Sequence, residues 1–421
     1  MKVNSSASND PENISYLLIL GILFGITAFD TLLLGFAIPD LISEHDLSHS
    51  QAGLLGTGLM IGVGLGALIF GALSDFIGRK KVIYISVTIF SISTGIMAFN
   101  QAYFWLLFLL FIAGLGLGGS LTMTIATLPD IIKENLDRYM CYLESFWGIG
   151  ALLVVSAFYL KVNLGQLFIA GFIPLLTVPL FYLLPDVKSG VKSGVKPDVK
   201  SNVKSNVKSN VKSDVQLKKS ISGNISNLLH EYGKLTALLW IVWFCGIYTY
   251  YGVFLWLPDV VVSSSYEISV LIHLSIPVLI PVYGIQIVSP LLLSFIAREG
   301  NTEKLLAVYS FLAVVATLIF IFSRSAILTI SGMIILSFFS IGGWVLLILV
   351  TQKSYPTKIR GLGVGSAASV GRAGGILAPY LTGYFMDIYG SYTFPFAIFA
   401  ILFLLIAFLS LPVSRIRQRS R

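Results

Sequence analysis

Three ionisable side chains, Asp30, Glu144 and Arg372, interrupt long apolar stretches of this sequence. A charge buried in hydrocarbon costs at least about 2.5 kcal/mol even on lenient insertion scales, so each residue needs a partner or a polar cavity. An arginine guanidinium can bind a carboxylate through two parallel hydrogen bonds, and a buried carboxyl group can take up and release a proton. These residue types indicate recognition of an organic anion at Arg372 and proton coupling at Asp30 and Glu144.

The same residues also have a structural interpretation. Arg372 could form a static ion pair with Asp30 or with Glu144, and Glu144 with Arg138 could belong to a charge network that holds one conformation. At about 1.5 Å per helical residue, Asp30 and Arg372 lie about 21 Å and about 15 Å from the inner ends of their segments, near the depth of a midplane cavity. Glu144 lies about 8 Å from its inner end, closer to a gate.

Other side chains in the apolar stretches suit a flat solute. Tyr251 and Trp344 could stack on an aromatic ring, and Gln286 could hydrogen-bond to a polar group. Trp and Tyr also concentrate at membrane interfaces, so their types alone do not assign this role. Both cysteines, Cys141 and Cys245, fall in apolar segments, so we expect no disulfide framework, no metal site and no cofactor.

The composition indicates which type of secondary structure positions these residues. Of 421 residues, 56% are hydrophobic and 11% are charged, whereas soluble domains are near a quarter charged. Because a bilayer-spanning helix needs about 20 apolar residues, the pattern predicts an all-α membrane protein with twelve transmembrane helices. The predicted spans are 16–38, 52–74, 82–99, 103–128, 140–160, 165–184, 236–258, 268–297, 304–323, 326–350, 362–386 and 392–412.

Basic residues accumulate on one side of this arrangement. With both termini inside, all 28 Lys and Arg residues fall on inside segments except Lys161, Arg324 and Arg372. Because Lys and Arg favour cytoplasmic loops, the sequence predicts a multi-pass cell-membrane protein with both termini cytoplasmic. The net charge of +8 comes from residues 186–235 and the tail after Leu411, which indicates attraction to anionic lipids and no nucleic-acid partner.

The chain divides into two similar halves. Residues 186–220 are of low complexity, with a V-K-S-x repeat, and we expect them to be disordered. The predicted domains are a six-helix bundle over 1–185, a cytoplasmic linker over 186–235, and a second six-helix bundle with a basic tail over 236–421. Each half has a Gly-Gly pair in its fourth span and an Arg, Arg138 or Arg360, before its fifth. Secondary transporters are often built this way, with the solute site between the halves.

A longer motif lies between spans 2 and 3, where Gly71, Asp75, Gly78 and Arg79 stand in the string G-A-L-S-D-F-I-G-R-K-K. This string resembles the signature of the major facilitator superfamily. The resemblance implies two pseudo-symmetric six-helix bundles that move by alternating access, with these residues, Arg138 and Arg360 controlling conformation. It also implies a monomer that contacts lipids, a small solute and protons.

Two further segments resemble one branch of that superfamily. Residues 29–39, F-D-T-L-L-L-G-F-A-I-P, are similar to the D-G-F-D-T-x-x-x-G segment of aromatic-acid/proton symporters, with Thr27 in place of the first acid. Residues 354–365 and 371–379 resemble runs shared by aromatic-acid, organic-ion, niacin and sugar carriers. The resemblance implies proton-coupled uptake of a small organic anion, an aromatic acid among the candidates.

Several other functions fit the sequence less well. A primary pump would need a nucleotide site, and there is no G-x-x-x-x-G-K-[ST] string. Neither the repeated filter of a channel nor the soluble module of a receptor is visible, and no enzyme activity is expected. A sugar, polyol or other metabolite carrier of the same superfamily stays open as the alternative, as does a non-transporting membrane sensor.

Overall fold

The computed structural model describes residues 11–132, 134–160, 163–185, 206–263, 275–298, 300–356 and 359–419, and within these ranges the chain is helical without a β-strand. The first half contains α1 Pro11–His45, α2 His49–Ile77, α3 Arg79–Ile96, α4 Tyr103–Ile131, α5 Leu136–Tyr159 and α6 Leu164–Ile169, which continues as the 3₁₀ helix Ala170–Leu183. The second half contains α7 Asn206–Ser263, α8 Ser275–Ile296, α9 Thr302–Phe322, α10 Ala326–Ser354, α11 Arg360–Tyr389, α12 Thr393–Ser410 and the short α13 Val413–Arg419.

Helices α1 to α12 follow the twelve predicted spans in order, which confirms the all-α membrane fold. In the described ranges, ten helices are long and apolar enough to cross a bilayer by length and composition. The other two are α3, which begins with three basic residues, and α11, which is rich in glycine and serine and contains Arg372. Both pack against spanning helices, and several of their polar residues, such as Ser86, Thr94 and Thr382, are buried there.

The helix contacts repeat between the halves. In the first half α1 packs on α5, α2 and α3 pack on α4, and α3 packs on the 3₁₀ continuation of α6. In the second half α7 packs on α11, α8 and α9 pack on α10, and α9 packs on α12. The same pairing at an offset of six helices is the pseudo-symmetry that the sequence predicts.

Small residues let α2 and α4 approach closely. A side chain at Gly62 or Gly66 would overlap the backbone carbonyls of Phe111 or Leu115, and one at Gly118 would overlap that of Val63. Helices in a bilayer pack through such small-residue faces because lipid tails give them little hydrophobic driving force.

The two halves meet at a seam that closes at one end. The contacts across it join α1 with α7, α2 with α11 and α5 with α8. We call the end of the bundle with His49 the His49 end, and the opposite end, with the turn at Gly78, the Arg79 end. Side chains at Gly53 and Gly56 of α2 would collide with α11, whereas Gly64 and Gly71 have open space around them. Helices α2 and α11 are therefore in contact at the His49 end and diverge towards the Arg79 end.

Helix α7 is longer than the span that we predict for it. It begins at Asn206, so residues 206–220, which we expect to be disordered, are helical, whereas 186–205 lie outside the described residues. Between Pro197 and Pro258 the chain has no proline to stop the helix, and a spanning helix supplies the nucleus from which further turns propagate.

Candidate solute site in the seam

Glu144 of α5 lies at the centre of the seam and is only 3% exposed. Its carboxylate accepts a hydrogen bond from the side chain of Trp344 on α10, so it links the first half to the second. A small cleft opens beside it towards the Arg79 end. The residues lining this cleft are Ile125, Met140, Glu144, Val345, Ile348 and Leu349.

Arg372 of α11 faces the same region from the second half. Its electrostatic neighbour is the phenol of Tyr251 on α7, and Tyr251 also interacts electrostatically with Glu144. Within the described part of the chain, Arg372 forms no ion pair, so neither of the two static pairs is present in this conformation. A largely enclosed guanidinium without a carboxylate partner is suited to receive one from outside the protein.

Aromatic rings line this part of the seam. The Trp243 and Trp344 rings are 5.2 Å apart with a T-shaped arrangement, and the Trp243 indole donates a hydrogen bond to Thr351 at 2.8 Å. The rings of Tyr250 and Tyr251 are 5.6 Å apart and nearly perpendicular. These contacts restrict the rings to fixed orientations, so Tyr251 and Trp344 present flat surfaces beside Arg372 and Glu144 respectively.

Gln286 takes part in a chain of buried hydrogen bonds. The Trp147 indole donates to the Tyr250 hydroxyl, which donates to the Gln286 carbonyl oxygen at 3.3 Å, and the Gln286 amide donates to Ser337 at 3.0 Å. Gln286 is fully buried, and both ends of its amide are engaged. In this conformation it joins α5, α7, α8 and α10, and it does not offer a free group to a solute.

Asp30 lies apart from the seam cluster, inside the first half. Its Oδ2 accepts a hydrogen bond from Thr94 of α3 at 2.9 Å, and its Oδ1 is buried without a hydrogen-bond partner among the described residues. One turn earlier, Thr27 shares a hydrogen bond of 2.8 Å with Ser120 of α4. Thr27 occupies the position at which the segment of aromatic-acid/proton symporters has an acidic residue. Its hydrogen bond therefore links α1 to α4.

At the Arg79 end the motif residues have unequal roles. Arg79 forms an ion pair with Asp130 and donates to the carbonyl of Ala126, both near the end of α4. A cation there complements the partial negative charge of a helix C-terminus. Gly78 has φ 87°, which favours glycine at the turn into α3. Asp75 is exposed and makes no hydrogen bond or ion pair with another described residue, and a side chain at Gly71 would meet open space.

Two contacts join the halves at this end. Lys353 of α10 pairs with Asp137 of α5 at 2.8 Å, and the Arg138 guanidinium lies 5.9 Å from the centre of the Phe295 ring of α8. Arg360, the first residue of α11, is exposed and forms no ion pair with a described residue. The repeated arginines Arg138 and Arg360 are therefore not equivalent in this conformation.

Sequence reasoning missed several polar residues that the fold brings together. Trp147 and Ser337 stand in apolar segments among many similar residues. Only the tertiary structure shows that Trp147 hydrogen-bonds to Tyr250 and Ser337 to Gln286. Asp137 and Lys353 lie near predicted span ends, where charges are ordinary. His49 and Asp387 are also at such ends, yet their side chains meet at 2.9 Å across the seam.

These observations agree with the comparisons to known proteins. The chain matches the Major Facilitator Superfamily over residues 20–379. It belongs to that superfamily. Two transport proteins of Acinetobacter baylyi and one of Bacillus subtilis are similar to it over most of their length. The Bacillus subtilis protein, NiaP, assigned as a niacin/nicotinamide transporter, is 32% identical over 92% of this chain and 91% of its own.

The two Acinetobacter baylyi proteins are the niacin transporter NiaP, 26% identical over 92% of this chain and 91% of its own, and a benzoate transport protein, 23% identical over 86% and 80%. Among solved structures, the xylose transporter XylE from E. coli, in a partially occluded inward open conformation, superposes with a TM-score of 0.71. That likeness covers 95% of this chain and 97% of the other at 16% identity, so it shows the major facilitator fold alone. The protein is a multi-pass membrane transporter of this superfamily.

Proposed function

We propose that this transporter carries a small organic anion, in particular an aromatic monocarboxylate, into the cell together with protons. The observation that carries the proposal is Arg372, enclosed in the seam without an ion-pair partner among the described residues. A solute carboxylate would complete its hydrogen bonds and neutralise its charge, and transport by alternating access needs such a site between the halves.

The surroundings of Arg372 favour a flat solute. Tyr251 lies beside the guanidinium, and Trp344 lies across the seam, where it bonds to Glu144 and contacts Trp243. Rings held in this way offer apolar faces on which an aromatic acid can stack. Niacin and benzoate, named for two of the relatives, are both aromatic rings with one carboxylate, which supports this class of solute.

Asp30 is the proposed proton-coupling acid. It is 4% exposed, it has one hydrogen-bond donor in Thr94, and its second oxygen is buried without a described donor. A buried carboxyl group can take up and release a proton, so solute-linked movement of α1 against α3 would change its proton occupancy. Glu144 is the second candidate, because it lies in the seam near the solute site.

The proposed orientation puts the Arg79 end in the cytoplasm. The start of α3 carries Arg79, Lys80 and Lys81, and α13 adds further basic residues at the same end, where Arg417 pairs with Glu303. Cytoplasmic loops of membrane proteins collect Lys and Arg in this way. In this conformation the seam would then be closed towards the outside.

Uptake into proteoliposomes tests the proposal. Labelled nicotinate, benzoate, short carboxylates and sugars would be offered with and without an inward proton gradient. We expect gradient-driven uptake of the aromatic acids. Asp30→Asn should remove the response to the gradient, whereas the exposed Asp46→Asn should keep it.

Arg372→Lys tests the carboxylate contact in the same assay. Loss of one charge-assisted hydrogen bond should raise the KM for the acid roughly tenfold to a hundredfold, with the exposed Arg324→Lys as its matched control. Sugar uptake would support the alternative that the protein is a sugar carrier. Uptake of acids that depends on neither the proton gradient nor Asp30 would refute the proposed proton coupling.

A further inference from the structure

A histidine joins the two halves at the His49 end. His49 is the first residue of α2, and its Nδ1 lies 2.9 Å from Oδ1 of Asp387 on α11. Its Nε2 lies 3.7 Å from Oδ2 of Asp259 on α7. One imidazole of the first half therefore stands between two carboxylates of the second.

Asp387 also caps α2 across the seam. Its carboxylate accepts hydrogen bonds from the backbone N–H groups of His49 at 2.9 Å and Ser50 at 2.8 Å. These are groups at the start of α2, which needs acceptors and carries partial positive charge. The carbonyl of His49 lies so close to Gly383 of α11 that a side chain there would overlap it. Separation of the halves at this end must break all of these contacts together.

We propose that His49, Asp259 and Asp387 form a proton-binding latch whose protonation favours closure of the seam at the His49 end. Imidazole is the side chain that changes charge between pH 5 and 8. A proton on His49 gives it a charge that both carboxylates attract when the seam is closed, and that attraction is lost when α2 moves away from α7 and α11. By linkage, the closed conformation binds this proton more tightly, so acidification stabilises closure and a rise in pH weakens it.

Among the described residues, no further charged side chain forms an ion pair with His49. From α4, the Tyr103 hydroxyl donates to the backbone carbonyl of Gln51, two residues after His49 on α2. At the end of α1 lie Glu44, His45 and Asp46, which are exposed and form no ion pair with His49. In the described part of the chain, the charged groups that face the imidazole from α7 and α11 are thus Asp259 and Asp387.

The surroundings of Asp387 favour its ionised form. It lies one residue past the predicted span 362–386. Partial burial opposes its ionisation, but the hydrogen bonds from Ser50 and His49 have the larger effect. Together they hold the pKa of Asp387 below the usual value. The side chain of Asp259 is 6% exposed and is packed near Trp256, whose ring centre lies 5.9 Å from that of His49. The latch is therefore partly shielded from water, which preserves its electrostatic attraction.

The latch is independent of which solute is carried, and it is separate from Asp30 and Glu144. With the His49 end outside, an acidic exterior would favour closure behind a solute that has entered. It would thereby bias the cycle towards release on the cytoplasmic side.

Electron–electron distance measurements on the full-length protein in nanodiscs test the latch directly, without any solute. Spin labels at Asn100→Cys and Arg324→Cys report the separation of the halves at the His49 end, because both positions are exposed and lie outside the latch. The native Cys141 and Cys245 are each 1% exposed and should remain unlabelled. We expect the ratio of short to long distances to be roughly threefold to tenfold higher at pH 5.5 than at pH 8, since each partly exposed pair contributes modestly.

His49→Gln should abolish this pH dependence. His45→Gln, which changes the exposed histidine at the end of α1, should keep it. Asp259→Asn provides a second variant that leaves the imidazole in place and should reduce the pH response. A distance ratio that does not depend on pH in the unsubstituted protein, or a pH response that survives His49→Gln unchanged, would overturn the proposal. Neither result depends on uptake, so failure of the latch and failure of the proposed solute class are distinguishable.

Discussion

Gly53 offers a sharp test of how the seam closes. A methyl group at this position would overlap the backbone carbonyl of Pro379 and approach the Cα of Tyr380 to 3.0 Å, both on α11. Backbone atoms cannot rotate away as the end of a flexible side chain can, so the closed seam must widen. The collision exists only where the halves touch, so Gly53→Ala should destabilise the closed conformation while each half remains folded.

The expected size follows from the cost of overpacking. Extra methyl groups in well-packed regions cost about 1–3 kcal/mol, which corresponds to a shift of roughly 5-fold to 150-fold between two conformations. Gly64→Ala is the matched control, because it makes the same change on the same helix where a side chain would meet nothing within 4 Å.

Thiol labelling at a fixed pH measures the shift. Thr57, whose hydroxyl donates across the seam to the carbonyl of Ile376 at 2.7 Å, would be replaced by Cys in all proteins compared. We expect the rate of reaction with a membrane-impermeant maleimide to rise at least about fivefold in Gly53→Ala and to be unchanged in Gly64→Ala. Equal rates in Gly53→Ala and its parent would refute the reasoning that this contact limits opening.

Two further predictions concern polar contacts between the halves. Trp147→Phe removes the donor to Tyr250 and should lower the free energy of unfolding by about 1 kcal/mol, seen as a lower melting temperature, whereas Trp105→Phe, partly exposed on α4, should change little. Lys353→Asp should favour opening at the Arg79 end by repelling Asp137, and the added change Asp137→Lys should restore the original distance distribution between spin labels placed there. A double variant as open as the single one would contradict the inference that this ion pair holds the halves together at the Arg79 end.

Several features of the fold were predictable because they depend on local composition. Length and apolarity of each segment decide whether it can span a bilayer, and loop charge decides which side is favoured, so twelve helices in two halves follow from sequence. The disorder expected for 206–220 was wrong, since a low-complexity composition did not reveal that α7 continues through it.

The sequence identified the charged residues of the seam but could not predict their contacts. Asp30, Glu144 and Arg372 stood out because charge is rare in apolar segments, and that rarity is a property of the chain alone. Which of them meet is a property of helix rotation and tilt, which place Asp30 against Thr94 in one half and Glu144 against Trp344 across the seam. Their roles in binding and coupling remain predictions for the uptake assays.

Sequence by itself thus determined the membrane fold, its duplication and the rare buried charges, because each depends on the residue types within individual helices. Tertiary structure alone decided that Gln286 has both ends of its amide engaged, that Arg372 has no described carboxylate beside it, and that His49 stands between Asp259 and Asp387. These contacts join residues from different helices, and many of them cross between the halves. Their geometry depends on how the two bundles dock, which no local pattern along the chain encodes.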